Sequence, residues 1–154
     1  MENIKGKKTI ALIAHDNMKD EIVEWARKNK SELSKHYLIG TGTTASIIAD
    51  RLNISVEKVK SGPYGGDLQI GSKISDDEID MVIFFFDPLT AQPHDPDVKA
   101  LLRVATLYDI PIAINRSTAE FLLTSKYMKE DFERKTINSE ELAKKRFNEF
   151  KEIK

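Results

Sequence analysis

Short continuous apolar runs alternate along this chain with segments whose apolar residues recur at helical spacing. Such runs are typical of parallel strands that are covered on both faces of a sheet. The expected strands are residues 10–14, 37–39, 56–59, 81–86 and 110–114, and the expected helices are residues 18–26, 45–52, 68–74, 96–105 and 119–123. This order predicts an α/β fold, a three-layer, doubly wound, mostly parallel five-stranded sheet with 81–86 as a central strand.

Polar residues and glycines directly follow each expected strand. In sheets of this kind, ligands bind outside the carboxyl ends of the strands. The segments that follow the strands are 15–16, 40–44, 61–67, 87–97 and 115–118, and they contain two of the three histidines. The sequence therefore predicts a functional site at this edge of the sheet.

The composition limits the class of protein. The 154 residues fit one core, and 24 Lys and Arg against 25 Asp and Glu give no net field that would recruit nucleic acid or an anionic membrane. The chain has no cysteine, which excludes disulfides, thiolate catalysis and Cys-based zinc sites. The first apolar run is too short for a signal peptide or a membrane span, so we expect a cytoplasmic protein. We expect an α/β domain over residues 1–125 and a charged, helical C-terminal extension over residues 126–154.

Asp67 ends a loop rich in glycine and proline, Ser61-Gly62-Pro63-Tyr64-Gly65-Gly66-Asp67. Glycines adopt backbone conformations that a Cβ forbids, so a ligand could lie against the main chain here with one carboxylate facing it. A tight turn whose Asp caps the next helix explains the same residues, and on the loop alone it is the favoured reading.

A second loop, Gly40-Thr41-Gly42-Thr43-Thr44-Ala45, formally matches the dinucleotide fingerprint. The expected acid about 20 residues later is missing, so we discount a dinucleotide site. Hydroxyls and backbone N–H groups at a helix N-terminus are instead suited to phosphate, and Lys19 could add a positive charge. Ordinary threonine capping is an equally good explanation of this loop when it is considered alone.

Two histidines, His15 and His94, fall on the functional edge, whereas His36 precedes a strand and is expected to be structural. A metal site built from them with Asp16, Asp95 or Asp97 lacks any paired-ligand spacing, so we expect no metal. Neutral histidines that polarise a carbonyl or carry a proton fit better. Together with a phosphate loop and a presented carboxylate, they predict proton abstraction beside the carbonyl of a phosphorylated substrate, without a cofactor.

These residues resemble the methylglyoxal synthase family. The resemblance runs from about Thr9 to Ser125. The matching motifs are Ile13-Ala14-His15-Asp16-x-x-Lys19, the two loops above, Phe84-Phe85-Phe86-Asp87-Pro88-Leu89, Pro93-His94-Asp95-Pro96-Asp97-Val98-Lys99-Ala100-Leu101, and Ile110-Pro111-Ile112-Ala113.

The resemblance implies a methylglyoxal synthase-like fold and a cytoplasmic homohexamer that converts dihydroxyacetone phosphate into methylglyoxal and phosphate. It implies that Asp67 is the catalytic base and that His94 binds substrate and transfers protons. The implied substrate and phosphate contacts are His15, Lys19, Thr41, Gly42, Thr43, Thr44, Ser61, Gly62 and His94, and His15 also belongs to the implied catalytic set. Asp16, Asp87 and Asp97 match acids that line the same site. Inorganic phosphate is implied as an inhibitor.

Two other functions remain open on the sequence. The same fold occurs as a non-catalytic regulatory domain that binds a phosphorylated effector, which would bind without turnover. A triose phosphate isomerase activity would use the same base and retain the phosphate.

Overall fold

The computed structural model describes residues 2–4 and 6–151. Its strands are β1 (Glu2–Ile4), β2 (Thr9–Ala14), β3 (Tyr37–Gly40), β4 (Glu57–Lys58), β5 (Met81–Phe85), β6 (Ile112–Ala113) and β7 (Phe132–Arg134). Its helices are α1 (Lys19–Lys28), α2 (Lys30–Leu33), α3 (Gly42–Leu52), α4 (Gly66–Ser75), α5 (Asp95–Leu107), α6 (Arg116–Leu123) and α7 (Ser139–Lys151). Short 3-10 turns cover Asp16–Met18, Gly62–Tyr64 and Lys126–Met128.

Five strands form a parallel sheet in the order β4–β3–β2–β5–β6. The chain moves outward from β2 in both directions, which makes the sheet doubly wound. β2 occupies the middle, and β5 lies beside it between β2 and β6, so the aromatic run is an interior strand. The predicted α/β fold class is confirmed.

Alternate residues of β2 contribute to two separate hydrophobic clusters. Ile10 and Leu12 pack on one face with residues of α1, α3 and α6, whereas Ala11 and Ile13 pack on the other with α4 and α5. Because side chains alternate across a strand, one continuous apolar run can serve both layers of helices.

The elements differ from the predicted ones at their ends. β4 and β6 each have only two residues, and Pro111 before β6 offers a carbonyl but no N–H to its neighbour. α4 begins two residues earlier than expected. Asp67 therefore lies in the first turn of a helix and not at the end of a loop.

A second, antiparallel pair of strands was not predicted: β1 pairs with β7. Beside it, the guanidinium of the buried Arg134 donates to the carbonyl of Tyr108 at 2.8 Å and to Oδ1 of Asp77 at 3.0 Å. The following helix, α7, has no buried residue.

The expected extension falls partly on residues 152–154, which lie outside the described residues, as do Met1 and Lys5. Its division from the α/β domain stays a prediction. Within the described residues, no helix is both long enough and apolar enough to cross a bilayer.

Candidate active site

A pocket of about 210 Å³ lies at the carboxyl ends of the parallel strands. The lining residues come from the end of β2 and from the segments that follow β2, β3, β4 and β5. They are Ile13, Ala14, His15, Asp16, Lys19, Thr41, Thr43, Ser61, Gly62, Pro63, Tyr64, Asp67, Gln92 and His94. The edge predicted from the sequence is therefore the edge that carries this pocket.

Two glycines let the chain turn from the 3-10 segment into α4. Gly65 has a φ of +96°, a conformation that favours glycine. The N–H of Gly66 donates to the carbonyl of Ser61 at 3.0 Å, and a Cβ at position 66 would lie only 1.9 Å from the carbonyl oxygen of Lys60. The turn therefore favours glycine at position 65 through its backbone conformation and leaves no room for a Cβ at position 66.

The Asp67 side chain is buried without a hydrogen bond. The residue is 0% exposed, and neither carboxylate oxygen has a hydrogen-bond partner among the described residues. Burial raises the pKa of this carboxyl, and nearby Asp97 acts in the same direction, whereas His94 and Lys19 oppose the shift. The structure thus presents a desolvated carboxylate whose affinity for a proton is increased.

His15 is held in one tautomer by the backbone. Its Nδ1 accepts a hydrogen bond from the N–H of Asp87 at 3.0 Å, so in the neutral ring the proton lies on Nε2. Nε2 is buried and has no partner among the described residues. Burial, followed by the nearby His94 and Lys19, lowers the pKa of His15, which favours the neutral ring. His15 is therefore suited to donate from Nε2.

His94 lies between His15 and Asp67. Its ring centroid is 5.6 Å from that of His15, and its Nε2 is 3.9 Å from Oδ2 of Asp67. A Cβ added at Gly62 would lie 2.6 Å from this Nε2, so the bare backbone at position 62 is part of the wall that fixes the ring.

The threonine loop provides hydroxyls and N–H groups. Thr41 precedes the first turn of α3, where backbone N–H groups lack partners within the helix. The hydroxyls of Thr43 and Ser61 lie 3.5 Å apart and both residues line the pocket. Gly42 is behind them: a Cβ there would lie 2.6 Å from Oγ of Ser61, so glycine allows the two loops to meet.

Lys19 provides the positive charge on this side. Its ammonium donates to the carbonyl of Ala14 and lies 3.7 Å from Oδ1 of Asp16. Burial lowers the pKa of Lys19, and the carboxylates of Asp16 and Asp67 oppose that shift.

Several expected site residues do not line the pocket. The Thr44 hydroxyl donates to the carbonyl of Ala14 at 3.4 Å, and the carboxylate of Asp87 accepts from Asn17 and from the N–H of Leu89. The two hydrogen bonds that the Asp87 carboxylate accepts lower its pKa, and the one from the N–H of Leu89 has the larger effect. Asp97 and Gly42 are also absent from the lining of the pocket, whereas Asp16 belongs to it.

Gln92, Pro63 and Tyr64 line the pocket and were not selected from the sequence. Each lies in a segment that follows a strand, which is the one signal that could have identified them. His36, expected to be structural, accepts from the N–H of Lys8 at 3.0 Å and contacts Glu32, away from the pocket. No group of three potential metal ligands occurs among the described residues.

Comparisons with known proteins identify relatives over most of the chain. Residues 21–114 match the family model of the MGS-like domain. The chain is 58% identical to methylglyoxal synthase of Clostridium acetobutylicum over 135 residues, which are 88% of this chain and 93% of the relative. It is 54% identical to methylglyoxal synthase of Leptospira interrogans over 123 residues, 80% of this chain and 83% of the relative. The crystal structure of methylglyoxal synthase from Elizabethkingia anophelis NUHP1 matches with a TM-score of 0.86 and 44% identity, over 93% of this chain and 94% of that one.

Proposed function

The chain belongs to the methylglyoxal synthase family, and on that premise we propose that it converts dihydroxyacetone phosphate into methylglyoxal and inorganic phosphate. Membership of this family makes the protein a lyase. We propose that it is specifically a carbon–oxygen lyase, because the bond broken joins a carbon to a phosphate oxygen.

The observation that carries the proposal is the environment of Asp67. A buried carboxylate without hydrogen bonds destabilises the fold, so a role in structure does not account for it. A binding module for a phosphorylated effector would need the hydroxyls and Lys19 but not this group. The same carboxylate is what proton abstraction from carbon requires, since its raised pKa makes it a stronger base.

We place the substrate phosphate against the hydroxyls of Thr43 and Ser61, with Thr41, Gly62 and the ammonium of Lys19 around it. Helix N–H groups in the first turn of α3 and the positive end of the helix dipole favour an anion at this point. With the phosphate there, the carbonyl and the hydroxymethyl group extend toward the two histidines and Asp67.

Asp67 then removes a proton from the hydroxymethyl carbon. The electron pair moves into the C–C bond and onto the carbonyl oxygen, which gives an enediolate. The Nε2–H of His15 and the imidazole of His94 are the donors placed to stabilise that oxygen. A positioned base contributes about 10² to 10⁴ in rate.

Elimination follows from the enediolate. The hydroxyl at the former hydroxymethyl carbon gives its proton to the departing phosphate, and its oxygen forms a new carbonyl there. The C–C double bond shifts toward the carbon that carries the phosphate while the C–O bond to phosphate breaks. The enolate that remains takes up at its terminal carbon the proton that Asp67 removed, which gives methylglyoxal and restores the carboxylate. The C–O bond to phosphate breaks readily only when it stands perpendicular to the enediolate plane, and we propose that the Thr and Ser hydroxyls set that torsion.

The partners and location belong to the same proposal. Inorganic phosphate, the second product, would inhibit by binding to the hydroxyls of Thr43 and Ser61 in place of the substrate phosphate. The proposal includes a homohexamer, and large apolar side chains on the surface, such as Leu89 and Phe121, which are 93% and 78% exposed, are available for contacts between its subunits. A chain without cysteine is consistent with the reducing cytoplasm.

The decisive experiment incubates the purified protein with dihydroxyacetone phosphate and measures methylglyoxal, inorganic phosphate and glyceraldehyde 3-phosphate. We expect equal release of methylglyoxal and phosphate, with the Asp67→Asn variant as the inactive control. Formation of glyceraldehyde 3-phosphate would instead identify an isomerase. Binding of the substrate without either product would identify a regulatory domain.

A further inference from the structure

Asn17, an exposed residue that does not line the pocket, connects the two loops that carry the histidines. It lies in the 3-10 turn Asp16–Met18, two residues after His15. Its side-chain amide donates to Oδ2 of Asp87 at 2.9 Å and lies 3.4 Å from the hydroxyl of Thr90. Both acceptors belong to the loop that continues to His94.

Asp87 is held at both its side chain and its backbone. Its second carboxylate oxygen, Oδ1, accepts from the N–H of Leu89 at 3.0 Å, and its own N–H donates to Nδ1 of His15 at 3.0 Å. Asn17, Asp87 and His15 therefore form a closed ring of hydrogen bonds and peptide bonds. A movement of the Asp87 carboxylate would tilt the peptide N–H that selects the tautomer of His15.

The tautomer decides what His15 can do. With Nδ1 accepting from Asp87, Nε2 carries the proton and can donate to a developing oxyanion. If the backbone N–H turned away, Nδ1 could carry the proton instead, and Nε2 would then present a lone pair to the same oxygen. A lone pair facing an oxyanion is repulsive, so loss of the tautomer costs rate.

We propose that Asn17 is a positioning residue that keeps His15 in the Nε2–H tautomer through the carboxylate of Asp87. The consequence for turnover rests on the proposed function, whereas the consequence for the imidazole does not. The proposal therefore has one readout that needs no substrate and one that does.

The test compares Asn17→Ala, which removes the donor, with Asn17→Gln, which retains an amide that can reach Asp87 from this exposed position. The matched control is Asp20→Asn, three residues later in the first turn of α1, where the side chain is 98% exposed and lies 3.9 Å from Arg51. The ¹⁵N shifts of the imidazole nitrogens report the tautomer directly. His36 is an internal reference, because its Nδ1 also accepts from a backbone N–H, that of Lys8.

In Asn17→Ala we expect the Nδ1 and Nε2 shifts of His15 to move toward each other while those of His36 stay constant. We expect kcat to fall about tenfold, with little change in KM. Tenfold is the lower end of the loss that follows when a hydrogen-bond partner that orients a functional histidine is removed. Asn17→Gln should restore both readouts, and Asp20→Asn should change neither.

Unchanged His15 shifts in Asn17→Ala would overturn the proposal, whatever happens to kcat. So would an equal loss of kcat in Asn17→Ala and Asp20→Asn, because that would be a general effect of changing this exposed segment. A wild-type protein inactive toward dihydroxyacetone phosphate would refute the proposed function instead, and the imidazole shifts would still decide the role of Asn17.

Discussion

The imidazole Nε2 of His94 lies 3.9 Å from Oδ2 of Asp67, which is beyond hydrogen-bond distance. A single C–O group of a substrate could still contact both atoms. A direct hydrogen bond or a closer ion pair would stabilise the ionised carboxylate and weaken it as a base. The observed gap leaves the carboxylate free, and a substrate placed there could give a proton to Asp67 while its oxygen accepts from His94.

Replacing Asp67 by asparagine should remove turnover without removing binding. The amide has the shape of the carboxylate but cannot accept a proton, so we expect kcat to fall by about 10² to 10⁴. The affinity for inorganic phosphate, measured by calorimetry, should change little, because the proposed phosphate contacts do not include the Asp67 side chain. Asp76→Asn, at the opposite end of α4, is the matched control and should keep full activity. Substantial residual kcat in Asp67→Asn would move the base to another acid.

The same substitution should stabilise the protein near neutral pH. Burial raises the folded-state pKa of Asp67 above its unfolded value, so protonation of Asp67 favours the fold. That contribution is present below the unfolded pKa and is lost as the pH rises through the folded pKa. Asparagine has no charge to bury, and we expect a higher Tm for Asp67→Asn at neutral pH and a difference that shrinks in acid. Thermal unfolding of both proteins across pH measures this. A Tm difference that does not depend on pH would contradict it.

The sequence predicts which strand ends and which of the residues after them form the candidate active site. The end of each parallel strand is defined by its apolar run, and parallel strands place those ends on one edge, so His15, Asp67 and His94 could be assigned to one site. The glycines at 65 and 66 were conspicuous for a reason that the structure supplies: the backbone of Lys60 leaves no room for a side chain at position 66.

Other features depend on contacts that no local pattern encodes. Thr43 and Thr44 are adjacent residues with the same side chain. Only the orientation of α3 about its axis, relative to β2, decides that Thr43 faces the pocket and Thr44 faces the carbonyl of Ala14. The hydrogen bond between Asn17 and Asp87 joins residues 70 positions apart. The pairing of β1 with β7 joins segments that are far apart in the sequence, and neither strand has a distinctive apolar pattern.

Adding one methyl group at Gly62 should impair catalysis more than folding. In Gly62→Ala the Cβ would lie 2.6 Å from Nε2 of His94, so the ring must move away from its position beside Asp67. A displacement near 1 Å costs about 10²-fold in rate, and we expect a loss of that order in kcat with a small change in Tm.

The control for Gly62→Ala is Gly71→Ala in the middle of α4. The nearest atom to a Cβ there is Cδ1 of Leu101 at 4.0 Å, an ordinary contact, and alanine favours the helix by about 1 kcal/mol. Gly71→Ala should retain kcat and gain stability. If Gly62→Ala also retained kcat, the position of His94 would not matter to the reaction.

The hydroxyl of Thr43 should govern the elimination of phosphate as well as its binding. Thr43→Val removes the hydroxyl that faces Ser61 and keeps the shape of the side chain, so the phosphate loses one of the contacts proposed to hold its C–O bond out of the enediolate plane. We expect kcat to fall about tenfold, the equivalent of one hydrogen bond to a charged group, and some enediolate to be converted to glyceraldehyde 3-phosphate.

Thr44→Val is the matched control, because the Thr44 hydroxyl donates to the carbonyl of Ala14 and does not line the pocket. It should lose stability but keep the product ratio, measured by assaying methylglyoxal and glyceraldehyde 3-phosphate in the same reaction. If Thr43→Val raised KM alone, with kcat and the product ratio unchanged, the hydroxyl would bind the phosphate without setting its torsion.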